Sequence, residues 1–138
     1  MVKHLIGKSD TVGLEGTRTH ISVLFTDIRG FTALTQSNSP KVIVEILNRH
    51  HDLLLGIIFK NGGTMDKFIG DSIMAFFGAP IAQDDAPLRA LTSAIFCMNA
   101  IPQLNESLQK DGLPTIQIGI GIATGNAIVG TIGSSKRM

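Results

Sequence analysis

Residues 21–32 read Ile-Ser-Val-Leu-Phe-Thr-Asp-Ile-Arg-Gly-Phe-Thr, and they predict a central β-strand followed by a tight turn. Apolar side chains alternate along the first part, which is the period-two pattern of a strand with one apolar face. The apolar run ends at a carboxylate, Asp27, and Gly30 follows shortly after it. An acid fixed at a strand end, next to a glycine turn whose N–H groups can face an anion, is typical of a cation and phosphate site.

Residues 67–77 have the same character and read Lys-Phe-Ile-Gly-Asp-Ser-Ile-Met-Ala-Phe-Phe. Here Asp71 stands beside Gly70 at the start of an apolar strand. Either aspartate taken alone is explained equally well as a turn residue. The pair favours a different interpretation, because two acids at strand ends can converge on one hard cation. We therefore predict that Asp27 and Asp71 share a site.

The composition excludes several classes of protein. The chain has 138 residues, of which 43% are hydrophobic and 17% charged, so it is long enough for one globular domain with a core. Its net charge of +1, without a basic run or a series of stacking aromatics, predicts that it binds no nucleic acid.

Cysteine content and hydropathy exclude further classes of protein. Cys97 is the only cysteine, so the chain forms no internal disulfide, and we expect a buried, unreactive thiol. No apolar run approaches the roughly 18 residues of a membrane span, and the N-terminus lacks a signal-peptide pattern. These features predict no membrane segment and a cytoplasmic location.

The remaining patterns predict alternating strands and helices after a linker or leader at 1–18, with the folded domain at 19–138. Strands are expected at 20–27, 64–69, 72–77, 116–123 and 127–132, the last two on either side of Thr124-Gly125-Asn126. Helices are expected at 31–36, at 40–60 and from Asp84-Asp85 onward. The order β, α, β, β, α, β, β predicts an α+β fold, with an antiparallel or mixed sheet and helices packed on one face.

Local signals predict where the helices begin and end. Ser39 followed by Pro40 is a helix start, and Asn61-Gly62-Gly63 is a helix end. Pro102 is expected to kink or end the third helix, because proline cannot donate a backbone hydrogen bond. The core stripe of that helix is expected to be apolar, comprising Leu88, Leu91, Ala94, Ile95, Met98 and Ile101.

Two further pairs of residues need an interpretation. His50 and His51 are adjacent on the second helix, so we expect them to face different ways at or near the surface, rather than to bind a metal together. Gly119 and Gly121 do not form a dinucleotide-binding loop, because Thr124 stands where that motif needs glycine or alanine and no helix follows. Close packing of the backbone between strands is the better explanation for the glycines.

These motifs resemble the catalytic domain of the class III nucleotidyl cyclases. The resemblance lies in residues 25–32, in residues 66–71, and in residues 119–125 followed by 129–133. It extends from about His20 to the last residue, in the order and near the spacing of that family. It implies a ferredoxin-like core, here truncated at the C-terminus.

The resemblance also implies a two-metal mechanism. Asp27 and Asp71 match the catalytic metal ligands of the family, assisted by the backbone carbonyl of Ile28, and the implied cofactors are two divalent cations, Mg²⁺ or Mn²⁺. Such ions can activate the ribose 3′-hydroxyl and neutralise the departing pyrophosphate. Oxygen ligands suit both metals.

Binding of the nucleotide is assigned in the same way. The turn of Gly30, Phe31 and Thr32 is implied to offer its N–H groups to the β- and γ-phosphates, whereas an exposed Arg29 needs no such role. Lys67 matches the position at which adenylate cyclases carry lysine and guanylate cyclases carry glutamate. An ammonium group can donate a hydrogen bond to adenine N1, whereas guanine N1–H needs an acceptor.

The chain departs from the family pattern at its C-terminus. It ends at Met138, before the positions of a second base-reading residue, an asparagine and an arginine in relatives; the terminal Lys136 and Arg137 do not replace them. In the family each site forms between two subunits. We therefore expect a head-to-tail homodimer, a regulatory domain outside this chain, and low or absent activity of the isolated chain.

The sequence thus favours an adenylate cyclase catalytic domain, a phosphorus-oxygen lyase that converts ATP to 3′,5′-cyclic AMP and pyrophosphate. A guanylate cyclase is the nearest alternative, and Lys67 argues against it. Another class of answer is a non-catalytic cyclase-like module that binds nucleotide or dimerises. A diguanylate cyclase is disfavoured, because its Gly-Gly-acid-acid-Phe signature is absent.

Overall fold

A computed structural model describes residues 17–129, with side chains described from residue 19 to residue 127. The described elements follow one another as β1 (Thr17–Ile28), α1 (Phe31–Ser37), α2 (Pro40–Lys60), β2 (Thr64–Ile69), β3 (Ser72–Phe77), α3 (Ala86–Lys110) and β4 (Ile118–Val129). The strands form one sheet in the order β2-β3-β1-β4, and every pairing is antiparallel. The α+β, ferredoxin-like architecture predicted from the sequence is confirmed.

The two faces of the sheet have different surroundings. On β1, Leu24 and Ile28 are buried in the core formed with α2 and α3. Phe25 and Asp27 alternate with them and therefore point to the opposite face, where Phe25 is 42% exposed. We call this second surface, which carries no described helix, the open face.

The second helix and the hairpin agree with their sequence signals. The Ser39 hydroxyl accepts a hydrogen bond from the Val42 N–H at 3.3 Å, as an N-cap does. The helix ends at Lys60, and Gly62 follows with a φ of 84°, a conformation that favours glycine. Strands β2 and β3 have the predicted boundaries.

The prediction of two strands around Thr124-Gly125-Asn126 was wrong. A single strand, β4, continues through these residues and pairs with β1 from Ile28↔Ile118 to Thr17↔Val129. Pairing with β1 stabilises the extended backbone of β4, and the hydroxyl groups of Ser22 and Thr124 form a hydrogen bond of 2.8 Å between the two strands. Because β1 begins at Thr17, it starts before the strand predicted at 20–27. Residues 1–16 of the predicted leader and 130–138 lie outside the described residues.

The third helix does not end at Pro102, as was one of the two outcomes expected there, since α3 continues past it to Lys110. Pro102 is exposed, while Ile101, Leu104 and Leu108 are buried on the face that packs against the core. Burial of apolar side chains on both sides of the proline outweighs the one backbone hydrogen bond that it removes.

The predicted core stripe of α3 was largely wrong. Four of its members are about half exposed or more: Leu88 61%, Leu91 50%, Ile95 48% and Met98 47%. The face that packs inward begins with small side chains, Ala86, Ala90, Ser93, Ala94 and Cys97, and continues with Ile101, Leu104 and Leu108. Small side chains let the helix approach closely, and helical spacing alone does not distinguish this stripe from the neighbouring apolar one. The buried Cys97 thiol agrees with its prediction, and burial raises its pKa to about 12.

Candidate active site

The turn between β2 and β3 is fastened to the end of β1. The backbone N–H of Ile28 donates a hydrogen bond to Asp71 Oδ2 at 2.7 Å, and the N–H of Ile73 donates to Thr26 Oγ1 at 3.3 Å. Gly70 has a φ of 60°, so the turn uses the left-handed conformation that glycine tolerates best. The fold thereby brings Asp71 next to the strand that carries Asp27, although the two are distant in sequence.

A cavity of about 350 Å³ lies at this junction. It is lined by both aspartates and by the turn after β1, namely Asp27, Ile28, Arg29, Gly30, Phe31, Thr32 and Asp71. Gly30 has a φ of 66° and is the N-cap residue of α1, a helix whose first N–H groups have no carbonyl partner within the helix. Of the residues predicted to form the site, only Lys67 lies outside this cavity.

Asp27 has the environment expected of a cation ligand. Its side chain is half exposed, yet its Oδ1 atom is buried and has no hydrogen-bond partner among the described residues. A buried carboxylate oxygen without a hydrogen bond is costly, and the ion-pair contact with Arg29 Nε at 3.5 Å offsets this cost only in part. A hard divalent cation would satisfy the oxygen. Asp27 and Asp71 thus fit the two cations that the resemblance implies.

The described residues contain no group of three or more histidine, cysteine or acidic side chains that could hold a metal ion. Two carboxylates alone leave most positions around Mg²⁺ or Mn²⁺ to carbonyl, water and phosphate oxygens, which is usual where a cation binds together with its phosphate substrate. The assignment of Asp27, Ile28 and Asp71 as metal ligands stays a prediction.

Lys67 lies on the open face, on the same side of the sheet as Asp27. Across neighbouring strands Lys67 pairs with Met74, Met74 pairs with Phe25, and Phe25 pairs with Gly121. Directly paired residues project from the same face, so these four form one row across the sheet. The Lys67 side chain is 58% exposed, with its Nζ 3.9 Å from Asp66 Oδ2. Its contact with a base stays a prediction.

The histidine pair differs from the prediction. His50 is fully buried, and its Nδ1 lies 2.9 Å from Nδ1 of His51. The sequence did contain a signal for burial, because His50 continues the four-residue spacing of Ile46, Leu54 and Ile58, all of which are buried. Burial, with a smaller contribution from His51, lowers the pKa of His50 to about 4.

His51 connects α2 to the hairpin that carries Lys67 and Asp71. Its ring stacks on Phe68, with centroids 4.5 Å apart and planes 5° from parallel. Phe68 is paired with the buried Ile73, so it projects toward the helices while Lys67 projects to the open face. The sequence did not indicate this contact, since it depends on how α2 lies across the hairpin.

The presence of glycine at position 119 has a different explanation from the one predicted. A Cβ atom at this position would collide with the guanidinium of Arg29, whereas at Gly121 nothing lies within 4 Å of the added atom. Gly119 therefore makes room for a side chain beside the site, rather than for close strand packing.

Comparison with known proteins identifies the family. A model of the adenylate and guanylate cyclase catalytic domain matches residues 15–138. An adenylate cyclase of Anabaena cylindrica is 38% identical over 131 residues, which cover 92% of this chain and 25% of that protein. The guanylyl cyclase Cya2 superposes with a TM-score of 0.85 at 39% identity, covering 90% of this chain and 63% of that chain. The adenylyl cyclase CyaB from P. aeruginosa gives a TM-score of 0.84 at 34% identity, covering 90% and 65%.

The chain thus spans a quarter of the length of that curated relative and less than two thirds of either solved chain. Among the described helices, none is long and apolar enough to cross a membrane. The family match nevertheless includes both aspartates, the turn after β1 and the hairpin. This chain belongs to the family of adenylate and guanylate cyclase catalytic domains.

Proposed function

We propose that the chain is an adenylate cyclase catalytic domain, which converts ATP to 3′,5′-cyclic AMP and pyrophosphate. The observation that carries the choice of ATP is the position of Lys67, exposed on the same face as Asp27. A nucleotide whose phosphates lie at the Asp27 cavity can extend its base across this face toward the Lys67 ammonium. That group donates to adenine N1 and has no acceptor for guanine N1–H.

In this proposal each residue has a defined task. Asp27, Asp71 and the Ile28 carbonyl hold two divalent cations, Mg²⁺ or Mn²⁺. These cations would lower the pKa of the 3′-hydroxyl and stabilise the charge on the leaving pyrophosphate. The N–H groups of Gly30, Phe31 and Thr32 orient the β- and γ-phosphates. The Ile28 N–H holds Asp71 in place through its hydrogen bond to Oδ2.

The proposal includes a second copy of the chain, arranged head to tail over the open face. Phe25 is 42% exposed there, in the same row as Lys67 and Met74. A partner that covers this face would bury Phe25 and exclude water from the nucleotide. A regulatory domain elsewhere in the protein and a cytoplasmic location complete the proposal.

The test compares ATP with GTP in the unmodified chain and in Lys67→Glu. We would measure cyclic AMP and cyclic GMP formed with Mn²⁺, and in parallel the binding of the two Mn²⁺-nucleotides by calorimetry. We expect ATP to be preferred, and Lys67→Glu to reduce that preference about tenfold to a hundredfold, as for loss of a hydrogen bond to a charged group. Asp71→Asn should abolish product formation.

Guanylate cyclase activity is a second candidate, because the solved structure of the guanylyl cyclase Cya2 resembles this chain at 39% identity. If the unmodified chain prefers to bind and cyclise GTP, it is a guanylate cyclase, and the proposed adenylate cyclase activity is refuted. An unchanged nucleotide preference in Lys67→Glu would remove the role that we give to Lys67. Nucleotide binding without product, by the full-length protein as well as by this chain, would favour a binding module over an enzyme.

A further inference from the structure

The Arg29 side chain occupies a defined place on the open face. Its backbone N–H donates to the Gln117 carbonyl at 2.8 Å, which fixes the chain just after β1. Gly119 lies opposite Asp27 in the β1–β4 ladder, and the Arg29 guanidinium lies where a Cβ of residue 119 would be. A Cβ at residue 119 would therefore force the Arg29 side chain, which is 63% exposed, to move away from this position.

This position places a positive charge beside the cation site. Arg29 Nε is 3.5 Å from Asp27 Oδ1, the same buried oxygen that lacks a hydrogen-bond partner among the described residues. The contact is therefore an ion pair and not a hydrogen bond. A divalent cation bound to Asp27 would be repelled by the guanidinium, whereas a cation that arrives with a triphosphate carries net negative charge and would be attracted.

We propose that Arg29, whose guanidinium lies against Gly119, is a positioning residue. It makes the site select a nucleotide-bound divalent cation over the free ion. The guanidinium neutralises Asp27 until the cation arrives with its triphosphate. This inference rests on the proposed metal site at Asp27 and Asp71. It assigns to Arg29 and Gly119 a task that the sequence motif alone does not indicate.

The first experiment measures two affinities in the 138-residue chain and in Arg29→Ala. Free Mn²⁺ would be titrated by electron paramagnetic resonance, without nucleotide and with a non-hydrolysable ATP analogue. Arg29→Ala should bind Mn²⁺ alone about threefold to tenfold more tightly and the Mn²⁺-analogue complex more weakly by a similar factor, as one unit charge a few ångströms away predicts. Arg29→Lys, which keeps the charge, should change both affinities less.

Opposite changes in the two affinities are the specific signature. A structural role for Arg29 would weaken both affinities together, and a solvated arginine would change neither; either result would overturn the proposal. Asp71→Asn separates this inference from the proposed function. If the unmodified chain binds Mn²⁺ and Asp71→Asn does not, the metal site stands whatever Arg29→Ala shows. If the unmodified chain binds no Mn²⁺ even with the ATP analogue, both proposals fail.

The second experiment tests the contact between the Arg29 guanidinium and Gly119 with a matched pair of glycines. Gly119→Ala displaces the guanidinium and should shift both affinities in the same directions as Arg29→Ala. Gly121→Ala is the control, because Gly121 lies on the same face of β4 and nothing lies near its added Cβ; it should shift neither affinity. In the Arg29→Ala background Gly119→Ala should have little further effect. An effect of undiminished size there would show that Gly119 acts without Arg29.

Discussion

At the scale of single residues, His50 is an ionisable group that folding removes from water. It is fully buried between Ile46 and Leu54 on the inner face of α2, and its Nε2 has no hydrogen-bond partner among the described residues. The charged form is disfavoured in such a place, which is why the pKa of His50 falls from 6.5 to about 4. The pKa of the neighbouring His51 is lowered as well, mainly by burial.

The lowered pKa predicts a loss of stability in mild acid. Between pH 6.5 and pH 4 the unfolded chain protonates His50 while the folded chain does not, so the free energy of unfolding falls as pH falls through this window. We expect His50 to contribute about 2 to 3 kcal/mol of this loss between pH 7 and pH 4.5. Urea unfolding at both pH values should show a smaller loss in His50→Phe than in the unmodified chain.

The exposed His20 provides the control for this measurement. His20→Phe replaces a histidine that is exposed in the folded chain, and it shows whether the loss of any histidine changes the pH dependence of unfolding. An equally steep loss of stability in His50→Phe would mean that other groups, and not His50, cause the acid sensitivity.

At the scale of elements, α3 shows that tertiary packing can override a local helix breaker. Its middle is anchored by Ile101 and Leu104, which are buried on either side of the exposed Pro102. Its end is anchored by Asn105, which exchanges two hydrogen bonds of 2.9 Å with the backbone of Ile116. These contacts keep the helix intact as far as the segment before β4.

Replacing the proline should therefore stabilise the chain. Pro102→Ala restores a backbone donor in an exposed helix interior, a gain of up to about 3 kcal/mol, partly offset by about 1 kcal/mol of added freedom in the unfolded state. We expect a net gain of about 1 to 2 kcal/mol in urea unfolding. Gln103→Ala, at the adjacent exposed position, is the control and should change stability by less than about 0.5 kcal/mol. A destabilised Pro102→Ala would show that the ring makes a favourable contact.

At the scale of the whole molecule, the sheet separates two surfaces with different tasks. The helix side contains the main core. The open face carries Asp27, Lys67 and the half-exposed Phe25, with Gly121 opposite Phe25 on β4. A sheet face that is partly apolar and carries charged side chains at its edge suits a partner better than it suits water.

If the proposed homodimer forms over the open face, a charge at its centre should disrupt it. We expect Phe25→Glu to weaken self-association at least about tenfold, because an unpaired carboxylate would be buried. Sedimentation velocity over a range of concentrations would measure this. Phe59→Glu is the matched control, since Phe59 is 54% exposed but lies on α2, in the helix layer. Dissociation by Phe59→Glu alone would place the interface on the helix layer instead.

The sequence by itself determined the features that depend on neighbouring residues. The start of α2 at Ser39 and Pro40 and its end before Gly62 follow from capping chemistry that acts within a few residues. The hairpin turn at Gly70-Asp71 follows from a conformation that glycine adopts readily. The same local signals placed Asp27, the Gly30 turn and Asp71 at strand ends, so most of the candidate site could be predicted.

Only the tertiary structure decided the features that depend on partners distant in sequence. Strand β4 stays extended because the whole length of β1 pairs with it, and the buried face of α3 is the one whose small side chains fit the sheet. His51 meets Phe68, and Arg29 lies on Gly119, because separate elements pack side by side. Local propensity and periodicity contain no term for such contacts. The two aspartates of the proposed metal site were therefore visible in the sequence, whereas the contacts of Arg29, His51 and Phe68 around them were not.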